Sequence, residues 1–227
     1  MLSLAAIQGC GGDLALPSSS GDGVALSIVD GNGQRGTVGE ELPRPLVVSV
    51  QAGGTPIPGH EVAFVFPGDP AGGRLEPDTA VTGEDGRAVA RWVLGPEVGP
   101  YEVEARLVVS EPEPPPSLVF EASAVAGEPD TLRAISPLSQ PGRRGEPVRD
   151  QPSVAVLDRF GNPVAGAPVT WAVTAGGGTV TGGTAAGEDG MATASWTLGM
   201  GIGVQKLTAR VEGAHGSPVT FTATVLF

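Results

Sequence analysis

The sequence predicts an all-β protein of two tandem β-sandwiches, about seven strands each. Three observations carry that expectation. Apolar residues alternate with period two, as in Ala88, Ala90, Trp92, Leu94 and again in Ala192, Ala194, Trp196, Leu198, which puts one set of side chains on a single sheet face. Glycine and proline, 36 and 22 residues of 227, fall between runs rich in valine, threonine, alanine and tryptophan. There they punctuate short strands. Finally, the pattern occurs twice.

The duplication sets the architecture. Gly83-Glu84-Asp85-Gly86 returns as Gly187-Glu188-Asp189-Gly190, and the same offset carries Trp92 onto Trp196 and Ala105-Arg106 onto Ala209-Arg210. Upstream, Gly59, Val62 and Phe64 match Gly166, Val169 and Trp171 at a slightly longer offset. Downstream, Phe120 and Ala122 match Phe221 and Ala223 at a slightly shorter one. The differences come from extra residues in the first copy at 67–72 and 111–116, where loops are expected to tolerate insertions.

Each copy has about 100 residues, the size of an immunoglobulin-type sandwich. The expected organisation is a leader-like segment and tether over 1–23, a first sandwich over 24–126 and a second over 130–227. Gly127-Glu128-Pro129 forms a linker too short for much bending. Strands are predicted near 24–29, 46–51, 61–66, 79–82, 87–94, 101–108 and 117–125. In the second copy they are predicted near 131–135, 153–157, 168–174, 184–186, 191–198, 204–211 and 218–226. Asp85-Gly86 and Asp189-Gly190 read as hairpin turns, and Gly161-Asn162-Pro163 as the turn between the second and third strands of copy two.

Alternation also names a core. In copy one it comprises Val48, Val50, Val62, Phe64, Trp92, Leu94, Val103, Ala105, Phe120 and Ala122. In copy two it comprises Val154, Val156, Val169, Trp171, Trp196, Leu198, Leu207, Ala209, Phe221 and Ala223.

With the residues laid out, copy two resembles the group 1 bacterial immunoglobulin-like domain of invasin and intimin. The resemblance rests on the strand Val154–Asp158, the Asp158-x-x-Gly161-Asn162-Pro163-Val164 turn, the strand that follows to Trp171, and the closing Phe221-Thr222-Ala223. Copy one departs at the turn, with Gly53-Gly54-Thr55-Pro56-Ile57. The resemblance implies a bacterial cell-surface setting and a role as a rigid spacer in adhesins. Residues 1–10, ending in Gly9-Cys10, resemble the end of a bacterial lipoprotein signal peptide. That likeness implies acylation of Cys10 and a membrane anchor, with the PSSSGDG stretch as tether.

Chemistry is sparse. A formal net charge of −12 would repel a phosphate backbone, so no nucleic-acid partner is expected. Cys10 is the one cysteine, which excludes an intrachain disulfide and a thiolate cluster. His60 and His215 fall in distant loops of different copies and cannot pair on a metal without a partner chain. Ser195 lacks a nucleophile elbow and a base. Gly176-Gly177-Gly178 lacks the helix and Lys-Ser/Thr of a phosphate cradle. The acidic pairs Glu84-Asp85 and Glu188-Asp189 match no calcium-loop spacing. No catalytic residue, cofactor or metal is therefore expected. The expected function is a non-catalytic, lipid-anchored envelope or surface module. The competing expectation is a module that binds a protein or glycan through loops at one end of a sandwich, with Phe160 as its exposed aromatic.

Overall fold

A computed structural model describes residues 23–68, 73–109 and 115–226. Residues 1–22, with Cys10 and nearly all of the tether, lie outside them, as do parts of both predicted insertions. The described residues contain strands and turns and no helix.

Copy one holds β1 (Val24–Asp30), β2 (Gln34–Thr37), β3 (Leu46–Ala52), β4 (Thr55–Pro56), β5 (Glu61–Val65), β6 (Arg74–Glu76), β7 (Thr79–Val81), β8 (Arg87–Val93), β9 (Gly99–Leu107) and β10 (Ser117–Val125). One sheet runs β1-β3-β8-β6, with β4 beside β3, and the facing sheet runs β2-β10-β9-β5-β7. Copy two holds β11 (Thr131–Ala134), β12 (Ser139–Gly142), β13 (Ser153–Leu157), β14 (Thr170–Ala175), β15 (Gly178–Thr181), β16 (Met191–Thr193), β17 (Ser195–Leu198), β18 (Gly203–Arg210) and β19 (Val219–Val225). Its sheets run β11-β13-β16, β12-β19-β18-β14 and β15-β17. No sheet mixes the two copies, and each copy encloses its own apolar cluster.

In both copies the first strand divides between the two sheets, which the predicted strands lack. β1 pairs antiparallel with β3, and after a turn β2 pairs parallel with β10 in the facing sheet. β11 and β12 do the same with β13 and β19. A buried glutamine fixes each crossing. Gln34 donates from Nε2 to the carbonyls of Gly31 and Arg44, both at 2.8 Å, and accepts from the Arg44 N–H. Gln140 likewise donates to the Asp150 carbonyl at 2.7 Å and accepts from its N–H at 2.9 Å. Polar β2 and β12 carry no alternating apolar signal, and so composition hides them.

Alternation did name the core. Of the residues assigned inward, only Trp171 is not fully buried. Its indole Nε1 reaches the Gly183 carbonyl at 2.8 Å while its ring leans on Phe221 at 6.0 Å. The amphipathic indole thus buries its body and uses its polar edge.

Three expectations change. Residues 184–186 form no named strand; they keep an isolated bridge, Pro168 to Ala185, and backbone hydrogen bonds to Gly166, Ala167 and Val169. The run 191–198 is broken at Ala194 into β16 and β17, which join different sheets. The Asp-Gly turns are also not hairpins. Asp85-Gly86 connects β7, in one sheet, to β8 in the other. The Gly86 and Gly190 carbonyls accept from Val50 and Val156 N–H groups, each at 2.8 Å. That bond ties each turn to the central strand of the opposite sheet. The same chemistry, a glycine at positive φ (+69° and +70°), serves a corner between sheets as readily as a hairpin.

Candidate functional site

A densely hydrogen-bonded polar turn lies between β13 and β14, in Asp158-Arg159-Phe160-Gly161-Asn162. An aspartate at this spot can bond its own backbone two residues on, closing an Asx turn. Asp158 does so: Oδ1 accepts from the N–H groups of Phe160 and Asn162, each at 2.9 Å. Asn162 Nδ2 adds contacts at 3.2 Å to Oδ1 and 3.0 Å to Oδ2. The backbone closes the same loop, with Asp158 N–H donating to the Asn162 carbonyl and Gly161 N–H to that of Asp158.

The turn reaches into copy one. Asp158 Oδ2 accepts from the linker N–H of Gly127 at 3.0 Å, and Asn162 Nδ2 donates to the Pro96 carbonyl at 2.8 Å. The Phe160 ring covers Gly39, where a Cβ would stand 2.6 Å from Cζ. The Arg159 guanidinium sits 4.6 Å from the centre of that ring. The linker is held at its other end as well. Asp130 donates to the Leu157 carbonyl and accepts from the His215 N–H, and Ala126 packs on the core of copy two.

Asp158 is buried, at 2% exposure. Burial raises its carboxyl pKa, but the Asn162 side chain and the N–H groups of Gly127, Asn162 and Phe160 outweigh that effect and hold it below the ordinary 3.8. Its acceptor sites are taken by N–H donors, so the carboxylate fastens a joint and does not present a reactive base. Two crevices flank the linker, of about 200 and 370 Å³. Glu40, Glu128, Asp130 and Asp158 line the smaller one, yet no group of three or more metal-ligating side chains forms among the described residues.

The remaining candidates are scattered. Cys10 lies outside the described residues. His60 stands beside the Thr82 contact of copy one, and His215 is exposed between β18 and β19. Ser195 faces solvent, and Asp85 bonds the Arg87 N–H of its own turn, as Asp189 does that of Met191. Phe160, at 43% exposure, sits at the joint and not on a free tip. Gly39, Pro96 and Gly127 escaped sequence reasoning. For Gly39 a signal was nonetheless present, because Gln34-x-Gly36-x-x-Gly39-Glu40 recurs as Gln140-x-Gly142-x-x-Gly145-Glu146.

Comparison of the sequence with protein-family models and with curated proteins gives no match. Among solved structures the chain is similar to FdeC, an Escherichia coli adhesin, at 17% identity and a TM-score of 0.55, over 88% of this chain and 64% of that one. It therefore spans under two thirds of the FdeC structure. Yersinia pseudotuberculosis InvD aligns at 15% identity and a TM-score of 0.48, over 89% and 57%. The D00-D0 domain of intimin aligns at 12% and 0.43, over 90% and 100%. Identity this low speaks to fold alone, and the FdeC match carries it. The chain thus has the fold of two tandem immunoglobulin-like sandwiches.

Proposed function

We propose that the protein is a non-catalytic module of the bacterial cell envelope, a stiff pair of sandwiches that spaces or displays an adhesive assembly. The observation that carries this reading is the joint. A short linker, a saturated buried carboxylate and a phenylalanine packed on a bare glycine hold the sandwiches against independent motion. The likeness in fold to an adhesin supports the envelope setting. Lipid attachment at Cys10 belongs to the same proposal and rests on the lipoprotein-like segment ahead of it. No helix among the described residues is long and apolar enough to cross a membrane.

Metabolic labelling with a palmitate analogue tests the anchor. Labelling that disappears in Cys10→Ala supports it, and equal labelling of both proteins ends it. A glycan-array and protein pull-down screen with the full chain tests the spacer. Saturable binding that survives Gly39→Ala but is lost in Phe160→Ala would replace the spacer with a binding module. Those two variants disturb the same joint, and only the second removes the ring.

A further inference from the structure

The surface that copy one offers to the Asp158 turn is built a second time at the matching end of copy two. Three backbone hydrogen bonds recur. Gly39 N–H donates to the Gly95 carbonyl at 3.0 Å, and Gly145 N–H to that of Gly199 at 3.3 Å. Leu94 N–H donates to the Glu40 carbonyl at 2.9 Å, and Leu198 N–H to that of Glu146 at 3.0 Å. Glu40 bonds back to Thr37, and Glu146 to Arg143, each at 3.2 Å. Gly39 and Gly145 share their left-handed conformation, at φ +70° and +72°.

What covers the two glycines differs. Phe160 of the neighbouring sandwich lies on Gly39, whereas a Cβ on Gly145 would meet the Met200 sulfur at 3.1 Å. Met200 follows Gly199 as Pro96 follows Gly95, so its carbonyl corresponds to the one that Asn162 bonds in copy one. Its side chain is 72% exposed, unbranched and able to swing away. Ile202 and Leu226, one residue beyond the paired Gly203 and Val225, are 49% and 69% exposed. A cleft of about 420 Å³ next to Leu226 is lined by Arg143, Glu146 and Arg149 as well. Glu146 stands where Glu40 faces Arg159 across the occupied crevice.

We propose that this end of copy two is a second socket, shaped for the Asp-x-Phe-Gly-Asn turn of another immunoglobulin-like sandwich, whose phenylalanine displaces Met200 from Gly145. The occupant is specified by the interface already present in the molecule: in copy one the counterpart glycine Gly39 and the counterpart carbonyl of Pro96 receive that turn. This inference goes beyond the spacer reading and holds equally for a binding module.

The test extends the full chain after Phe227 with a second copy of residues 127–227, linker and sandwich together. Residual dipolar couplings then report whether the added sandwich aligns with copy two. The expected result is one shared alignment for the added sandwich and copy two, lost when Phe160→Ala is made in the added segment alone. Gly145→Val in the original copy two should abolish it as well. Met200→Ala should leave it intact. Independent alignment of a folded added sandwich overturns the proposal, and so does shared alignment that persists without the added phenylalanine. Because Phe160→Ala touches only the added unit, a misfolded socket cannot imitate the expected loss.

Discussion

Replacing Asp158 by alanine removes the acceptor for four donors at once: the N–H groups of Gly127, Phe160 and Asn162 and the Asn162 amide. Hydrogen bonds to an ionised group contribute about 1.5–3 kcal/mol each when the loss leaves a donor buried and unpaired. Here the turn lies near the surface and water reaches part of it, so the losses do not add. A destabilisation of copy two by about 2–4 kcal/mol is expected. For a urea slope of about 1–3 kcal/mol/M, that lowers the midpoint by roughly 1–4 M. Tryptophan fluorescence reads it, because Trp171 and Trp196 report on copy two and Trp92 on copy one. The copy-two transition should move and the copy-one transition should stay. Amide exchange at Gly127 should quicken alongside. An unchanged copy-two midpoint would refute the view that this carboxylate holds the turn.

Acid should reproduce part of the effect. The folded Asp158 carboxyl sits below its ordinary 3.8, so its contribution is present above that value and is lost as pH falls through the lower folded one. The stability gap between wild type and Asp158→Ala, followed by urea titration, should therefore be constant at neutral pH and shrink below about pH 4. Gly39→Ala should uncouple the two sandwiches in dipolar-coupling measurements, because its Cβ would fall 2.6 Å from Phe160. Gly145→Ala, with a matching backbone cost but only Met200 to displace, should leave them coupled. Gly142→Val should lower the stability of copy two by about 1–3 kcal/mol or more, since even a Cβ there would meet Leu198 at 2.3 Å. Trp196→Ala should cost about 3–5 kcal/mol in the same assay.

Much of the fold is written in local pattern. Period-two alternation identified nineteen of the twenty inward residues named, because one face of each strand is buried and the other is wet. The repeat register placed strands such as β10 and β13 at their observed bounds. The Asp158-x-x-Gly161-Asn162 turn was also plain, since aspartate and glycine close such turns with their own backbone. What local pattern could not carry was pairing. Gln34 and Gln140 anchor strands by bonds made ten residues away, and nothing in a four-residue polar run announces a parallel partner in the facing sheet. Whether an Asp-Gly turn closes a hairpin or a corner depends on which central strand bonds its carbonyl. The joint was hidden for the same reason. Phe160 read as an exposed aromatic until the chain brought Gly39 beneath it, because a glycine becomes a seat for a ring only when a distant segment arrives to use the space that its missing side chain leaves.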